Sequence, residues 1–212
     1  MASLICEKFR CGPIRTNVYL VLDKELGKSV LIDAAPESLQ TYGQFCKNHS
    51  HALESVLITH CHWDHFADAA RFQEKKVPIY GSEEDGKWMA SDEFVQKFSP
   101  VEWNVLPCHC DHFLKHDDRL QLLGRDWHVI AVGGHTPGGI CYHLPSKNWL
   151  FSGDSLFHET VGRSDLPGSN GAQLLREIRV HLLCLPDETE VFPGHGMATT
   201  IGHERVHNPF LQ

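Results

Sequence analysis

No stretch of the 212-residue chain approaches the roughly 20 consecutive apolar residues needed to cross a bilayer. The opening MASLICEKFRCGPIR has no long apolar run behind a basic start, so an unexported, cytoplasmic protein without a membrane partner is expected. An excess of positive charge is also missing. Lys and Arg number 19 against 27 Asp and Glu, a formal net charge of −8, whereas nucleic-acid binding needs a cationic face that releases counterions. A small-molecule substrate fits better. There is no low-complexity linker and no repeat at a solenoid period, and the chain is long enough to bury a substantial core, so one domain over residues 1–212 is expected. The eight cysteines are scattered and do not read as a disulfide scaffold. Cys108 and Cys110, in CHCDHFLKH, lack zinc-finger spacing and read as packing or surface residues.

What the chain has in excess is histidine, 16 in all. Strand-length apolar stretches recur at TNVYLVLD, KSVLIDA, SVLITH, VPIYGS, WHVIAVGG, GICYHLP, NWLFSGD and TEVFPGH. Helical patterns lie at PESLQTYGQFCKN, FADAARFQEK, EEDGKWMASDEFVQKF and NGAQLLREIRVHLLCL, and TTIGHERVHNPFL reads as a helix begun by Thr199 or Thr200 and ended near Asn208-Pro209. Strand–helix alternation over 28–80 predicts parallel crossovers, and direct turns over 119–153 predict antiparallel pairing. A mixed α and β fold with mixed sheets and covering helices follows.

The stretch VLITHCHWDH, residues 56–65, ends an apolar strand in four potential metal ligands. His60 and His62 are one residue apart, so an extended backbone sends both imidazoles to the same side, where they can grip one ion. Asp64 and His65 follow where the chain turns into a helix and can aim at a second ion. Downstream, GGHTPGG holds His135, FSGDSLF holds Asp154 and FPGHGM holds His195, each after an apolar strand and beside glycine that permits close approach. Together they provide His60, His62 and His135 for one site, Asp64, His65 and His195 for another, and Asp154 as a bridge. Such donors suit two divalent ions, zinc first, with iron or manganese allowed. His49, His51, His128, His143, His158, His181, His203 and His207 show no converging partner in the sequence, and Cys61 reads as a small buried side chain.

The motif THCHWDH followed by His135, Asp154 and His195 resembles the HxHxDH…H…D…H pattern of the metallo-β-lactamase fold superfamily, and the match runs from 59 to 195. The resemblance implies an αββα sandwich, two mixed sheets packed face to face with helices outside and the metals at one edge. Within that superfamily, GDSLFHETVGRSDLPG, GGHTPGG and PGHGMATTIGHERVHNPFL resemble glyoxalase II and its short bacterial-type relatives, which are thioester hydrolases. The sequence ends with NPFLQ, without the C-terminal helical segment typical of glyoxalase II, so weaker glutathione selectivity is expected. The pair Arg163 and Asp165 in GRSD matches the subgroup and reads as a salt bridge shaping its loop.

The expected reaction is cleavage of small thioesters such as acyl-glutathiones by a metal-bound hydroxide, with Asp64 orienting the water as well as binding metal. Thiolate is a good leaving group, so no further acid is demanded. A mononuclear-iron persulfide dioxygenase of the same fold is the first alternative; by resemblance it would use His60, His135 and Asp154 alone. A lactone or phosphodiester hydrolase is another. An RNase Z type nuclease is disfavoured by the acidic charge, and a secreted β-lactamase by the absence of an export signal. A structural role for the metals is disfavoured because closed four-ligand cages leave no coordination room for water.

Overall fold

The computed structural model describes residues 4–47 and 49–212. The first three residues and Asn48, the last residue of PESLQTYGQFCKN, lie outside the described residues. The chain forms two compact units, one of residues up to Phe113 with Leu122–Gly124, the other of Leu114–Gln121 with Arg125–Gln212.

The first unit is built on a six-stranded mixed sheet in the order β1-β2-β3-β4-β5-β6. Its strands are β1 (Leu4–Cys11), β2 (Thr16–Asp23), β3 (Lys28–Ile32), β4 (Ala52–Leu57), β5 (Ile79–Ser82) and β6 (His112–Leu114). The pairs β1/β2 and β2/β3 are antiparallel, while β3/β4 and β4/β5 are parallel, as the alternation over 28–80 predicts. Every residue of β2 is buried, which suits a central strand covered on both faces. The crossovers are α1 (Ser38–Cys46), then α2 (Trp63–Phe66) and α3 (Ala69–Glu74), followed after β5 by α4 (Glu83–Met89) and α5 (Asp92–Phe98). Val18, Leu20, Val56, Ile58, Phe66 and Phe72 form the heart of this unit's core.

The stretch EEDGKWMASDEFVQKF is two helices, because Ser91 restarts the chain: its side chain accepts the Phe94 N–H at 3.2 Å, as Ser82 accepts that of Asp85 for α4. Three acidic residues in the first turn of α4 and two in that of α5 complement the exposed helix N–H groups.

The second unit is built on a six-stranded mixed sheet in the order β14-β13-β10-β9-β8-β7. These are β7 (Arg119–Leu122), β8 (Arg125–Ala131), β9 (Ile140–Leu144), β10 (Trp149–Gly153), β13 (Glu190–Pro193) and β14 (Thr199–Thr200), with a separate hairpin of β11 (Leu156–Phe157) and β12 (Thr160–Val161). Strands β8, β9 and β10 pair antiparallel in succession, as expected over 119–153, and β10 pairs parallel with β13. Helix α6 (Gly171–Glu177) continues into a π-helical turn over Ile178–Leu182, and α7 (Ile201–His207) is capped by Thr200, whose hydroxyl accepts the His203 N–H at 3.2 Å. Ile130, Val132, Leu150, Leu174, Ile178 and Val191 are central to this core. Among the described residues no helix is long and apolar enough to cross a membrane.

Candidate metal centre

The loop after β4 carries four of the seven expected ligands, and buried carboxylates fix its shape. Asp33, just past β3, accepts the Thr59 N–H at 2.8 Å and the Thr59 hydroxyl at 2.9 Å, and its Oδ2 lies 2.7 Å from His65 Nδ1. Asp85 accepts the Cys61 N–H at 2.9 Å, and the His65 carbonyl accepts the Ala34 N–H at 2.7 Å. The residues between β4 and α2 are therefore irregular yet anchored at nearly every step. His60 and His62 stand with ring centroids 4.8 Å apart, and His60 and His65 4.0 Å apart, so the one-residue spacing does bring the imidazoles together. Asp64 accepts the Thr16 hydroxyl at 2.6 Å and lies 3.2 Å from His65 Nε2.

These contacts set tautomers. The Asp33 carboxylate can only accept, so it places the His65 proton on Nδ1 and leaves Nε2 as the donor atom. Thr59 Oγ1 donates to Asp33 and sits 3.0 Å from His60 Nδ1, which passes the same preference to His60.

The second unit presents His135, Asp154 and His195 at the carboxyl ends of β8, β10 and β13. Asp154 Oδ2 lies 3.6 Å from His135 Nε2 and 3.5 Å from His195 Nε2, so one carboxylate oxygen addresses both imidazoles. His135 Nδ1 is 2.8 Å from the Arg163 carbonyl, a pure acceptor, which again leaves Nε2 for a ligand. Two glycines are required here. Gly134 has φ +120°, and a Cβ on it would come within 2.6 Å of the Asn170 carbonyl at the start of α6. A Cβ on Gly162 would strike the Asp154 carbonyl and lie 3.0 Å from His135 Nδ1. Arg163 and Asp165 form an exposed bidentate pair at 2.7 Å beside the Arg163 carbonyl.

Cys61 is fully buried, and burial, reinforced by Asp85, pushes its thiol well above the ordinary range. Cys110 packs its sulfur against Gly81 and Gly86, and His112 stacks on Tyr80, so CHCDH is used for packing. Asp33, Thr59 and Thr16 are the contributors that motif spacing does not reveal.

Residues 11–195 match the Metallo-beta-lactamase superfamily. The chain belongs to that superfamily. A probable metallo-hydrolase of Streptococcus pyogenes is 35% identical over 91% of this chain and 84% of its own length. The hydroxyacylglutathione hydrolase GloC of Haemophilus influenzae is 36% identical over 75% of this chain and 76% of its own. Among solved structures, the BLEG-1 B3 metallo-β-lactamase superposes with a TM-score of 0.87 at 29% identity, covering 98% of this chain and 99% of that one. The ETHE1 protein of Myxococcus xanthus gives 0.79 at 29% identity over 97% and 83%. TTHA1623, in a di-iron-bound form, gives 0.77 at 32% identity over the full length of both chains. The two mixed sheets with their helices are the fold of this superfamily, and the clustered histidines and aspartates suit divalent metal ions.

Proposed function

We propose that this superfamily member is a metal-dependent hydrolase of glyoxalase II type that cleaves small thioesters such as acyl-glutathiones. On this reading His60, His62 and His135 hold one divalent cation, Asp64, His65 and His195 hold a second, and Asp154 bridges them. The observation that carries it is the near-equal distance from Asp154 Oδ2 to the Nε2 atoms of His135 and His195, 3.6 and 3.5 Å, one from each ligand set. The two compact units then serve one functional domain, in keeping with a family match that runs through both.

The donors are five imidazoles and two carboxylates, which suits zinc and admits iron or manganese. Ions held there would lower the pKa of a water toward about 7 and polarise a carbonyl oxygen. The protein's own part is to aim donors and handle protons. Asp33 holds the Nδ1 proton of His65, Thr59 relays that preference to His60, and the Arg163 carbonyl does the same for His135. Thr16 fixes the Asp64 carboxylate, which we assign to orienting the attacking water as well as to binding. The thiolate leaves without a protein acid.

Protein purified without chelators should contain two divalent ions per chain by elemental analysis and turn over an acyl-glutathione. Asp154→Ala should lower both metal content and rate far more than His49→Ala, whose exposed imidazole stacks on Phe45. A single iron without a second metal, with oxygen consumption on a persulfide, would establish the mononuclear dioxygenase instead. The similarity to ETHE1 makes that outcome worth measuring.

A further inference from the structure

Three histidines that are not among the seven residues above, and that show no partners in the sequence, come together. His158 and Glu159 are the two turn residues of the β11/β12 hairpin, whose flanking pair is Phe157 and Thr160. His203 and His207 are one turn apart on α7. His158 and His203 stack with centroids 4.9 Å apart at 19°, and the His207 ring lies 4.6 Å from His203. Glu159 Oε1 is 3.0 Å from His203 Nε2 and 3.9 Å from His158 Nε2.

We propose that His158, Glu159 and His203 form a separate binding site for a first-row divalent cation of the zinc, nickel or copper kind. Their ligand atoms all lie within 4.8 Å of one another. Ligands at zinc–nitrogen and zinc–oxygen distances in a tetrahedron stand about 3.3 Å apart, and the two imidazole–Glu159 separations of 3.0 and 3.9 Å bracket that value. Two imidazoles and one carboxylate favour such borderline ions over magnesium or calcium, which take oxygen donors. Partial exposure of all three side chains leaves a path for the ion and room for water or His207 as a fourth ligand.

The site is built, because one buried carboxylate locks its two halves together. Glu204 of α7 is fully buried, accepts the Glu159 N–H at 2.9 Å, and is itself held by the Thr199 hydroxyl at 2.6 Å and the Asn208 amide at 2.8 Å. Asn208 also donates to the Thr160 carbonyl at 3.1 Å. The hairpin tip is thus clamped to the helix before any ion arrives. Glu159 sits at φ +56°, in a two-residue turn where Asn or Gly is favoured, and is kept there by this clamp. A bound cation would take the place of the His203–Glu159 contact and tie β11/β12 to α7.

The test compares wild-type protein with His203→Ala and with His158→Asn, a residue the turn accepts. Each is equilibrated with buffered zinc and measured by elemental analysis, then with cobalt and measured by its visible absorption. Wild type should bind one more cation per chain than either variant, and excess magnesium should not displace it. All three proteins should share the same remaining metal content, which separates this site from the seven-ligand centre whatever that centre holds. Equal zinc and cobalt stoichiometry in the three proteins would overturn the proposal.

Discussion

Asp33 shows what a single side chain does behind a proposed ligand. Its carboxylate binds Thr59 twice and His65 once, all within 2.9 Å, in a buried setting. Partners of this kind typically account for roughly 10–100-fold in metal affinity. Asp33 also adopts φ +64°, a conformation that Asn tolerates, so Asp33→Asn keeps the backbone and volume while removing the charge. It should weaken metal binding by roughly that factor in a chelator competition; unchanged affinity would show that His65 is aimed by packing alone. The seven proposed ligands stand out in the sequence because four share one short motif after an apolar strand and the other three each follow an apolar strand beside glycine. Asp33 was not, because a lone aspartate after KSVLI is also an ordinary turn residue, and its link to His65 exists only once β3 and β4 are paired.

At the level of elements, periodicity located the long strands, and the sequence stretches for β2, β8, β9 and β10 match the observed ones closely. It missed β1, whose LICEKFRC mixes buried and half-exposed positions and is ordered by pairing along the whole of β2. The short strands β6, β7, β11, β12 and β14 likewise depend on neighbours more than on their own pattern. One pairing has a measurable consequence. His128 of β8 lies opposite His143 of β9, with Arg119 beside His128. Burial, then His128 and Arg119, depress His143 from 6.5 to about 4. The fold therefore holds His143 neutral, while the unfolded chain protonates it near 6.5. Its stabilising contribution is complete above that pH and is lost as pH falls toward 4, to the order of 2–3 kcal/mol. In urea unfolding between pH 7 and 4.5, His143→Leu should lose less stability than wild type. Parallel losses in the two proteins would show that acid sensitivity originates elsewhere.

For the whole molecule, the question is whether the two compact units answer to the same ions. His62 lies in the first unit and His135 in the second, and the proposed function makes them ligands of one cation. A ligand that binds only the folded state stabilises it by RT ln(1 + [L]/Kd), about 4 kcal/mol at a thousandfold excess over Kd. Losing either histidine should remove most of that ion's contribution, and losing both should remove little more. If each unit bound its own cation, the two losses would add, as they do for independent sites. The thermal midpoint in saturating zinc minus that in chelator, measured for wild type, His62→Ala, His135→Ala and the double variant, separates the cases. The expected result is strong non-additivity, with the double variant close to either single one. Additive losses would mean that the motif after β4 and the histidine after β8 serve different ions, and the assignment of His135 beside His60 and His62 would have to be abandoned.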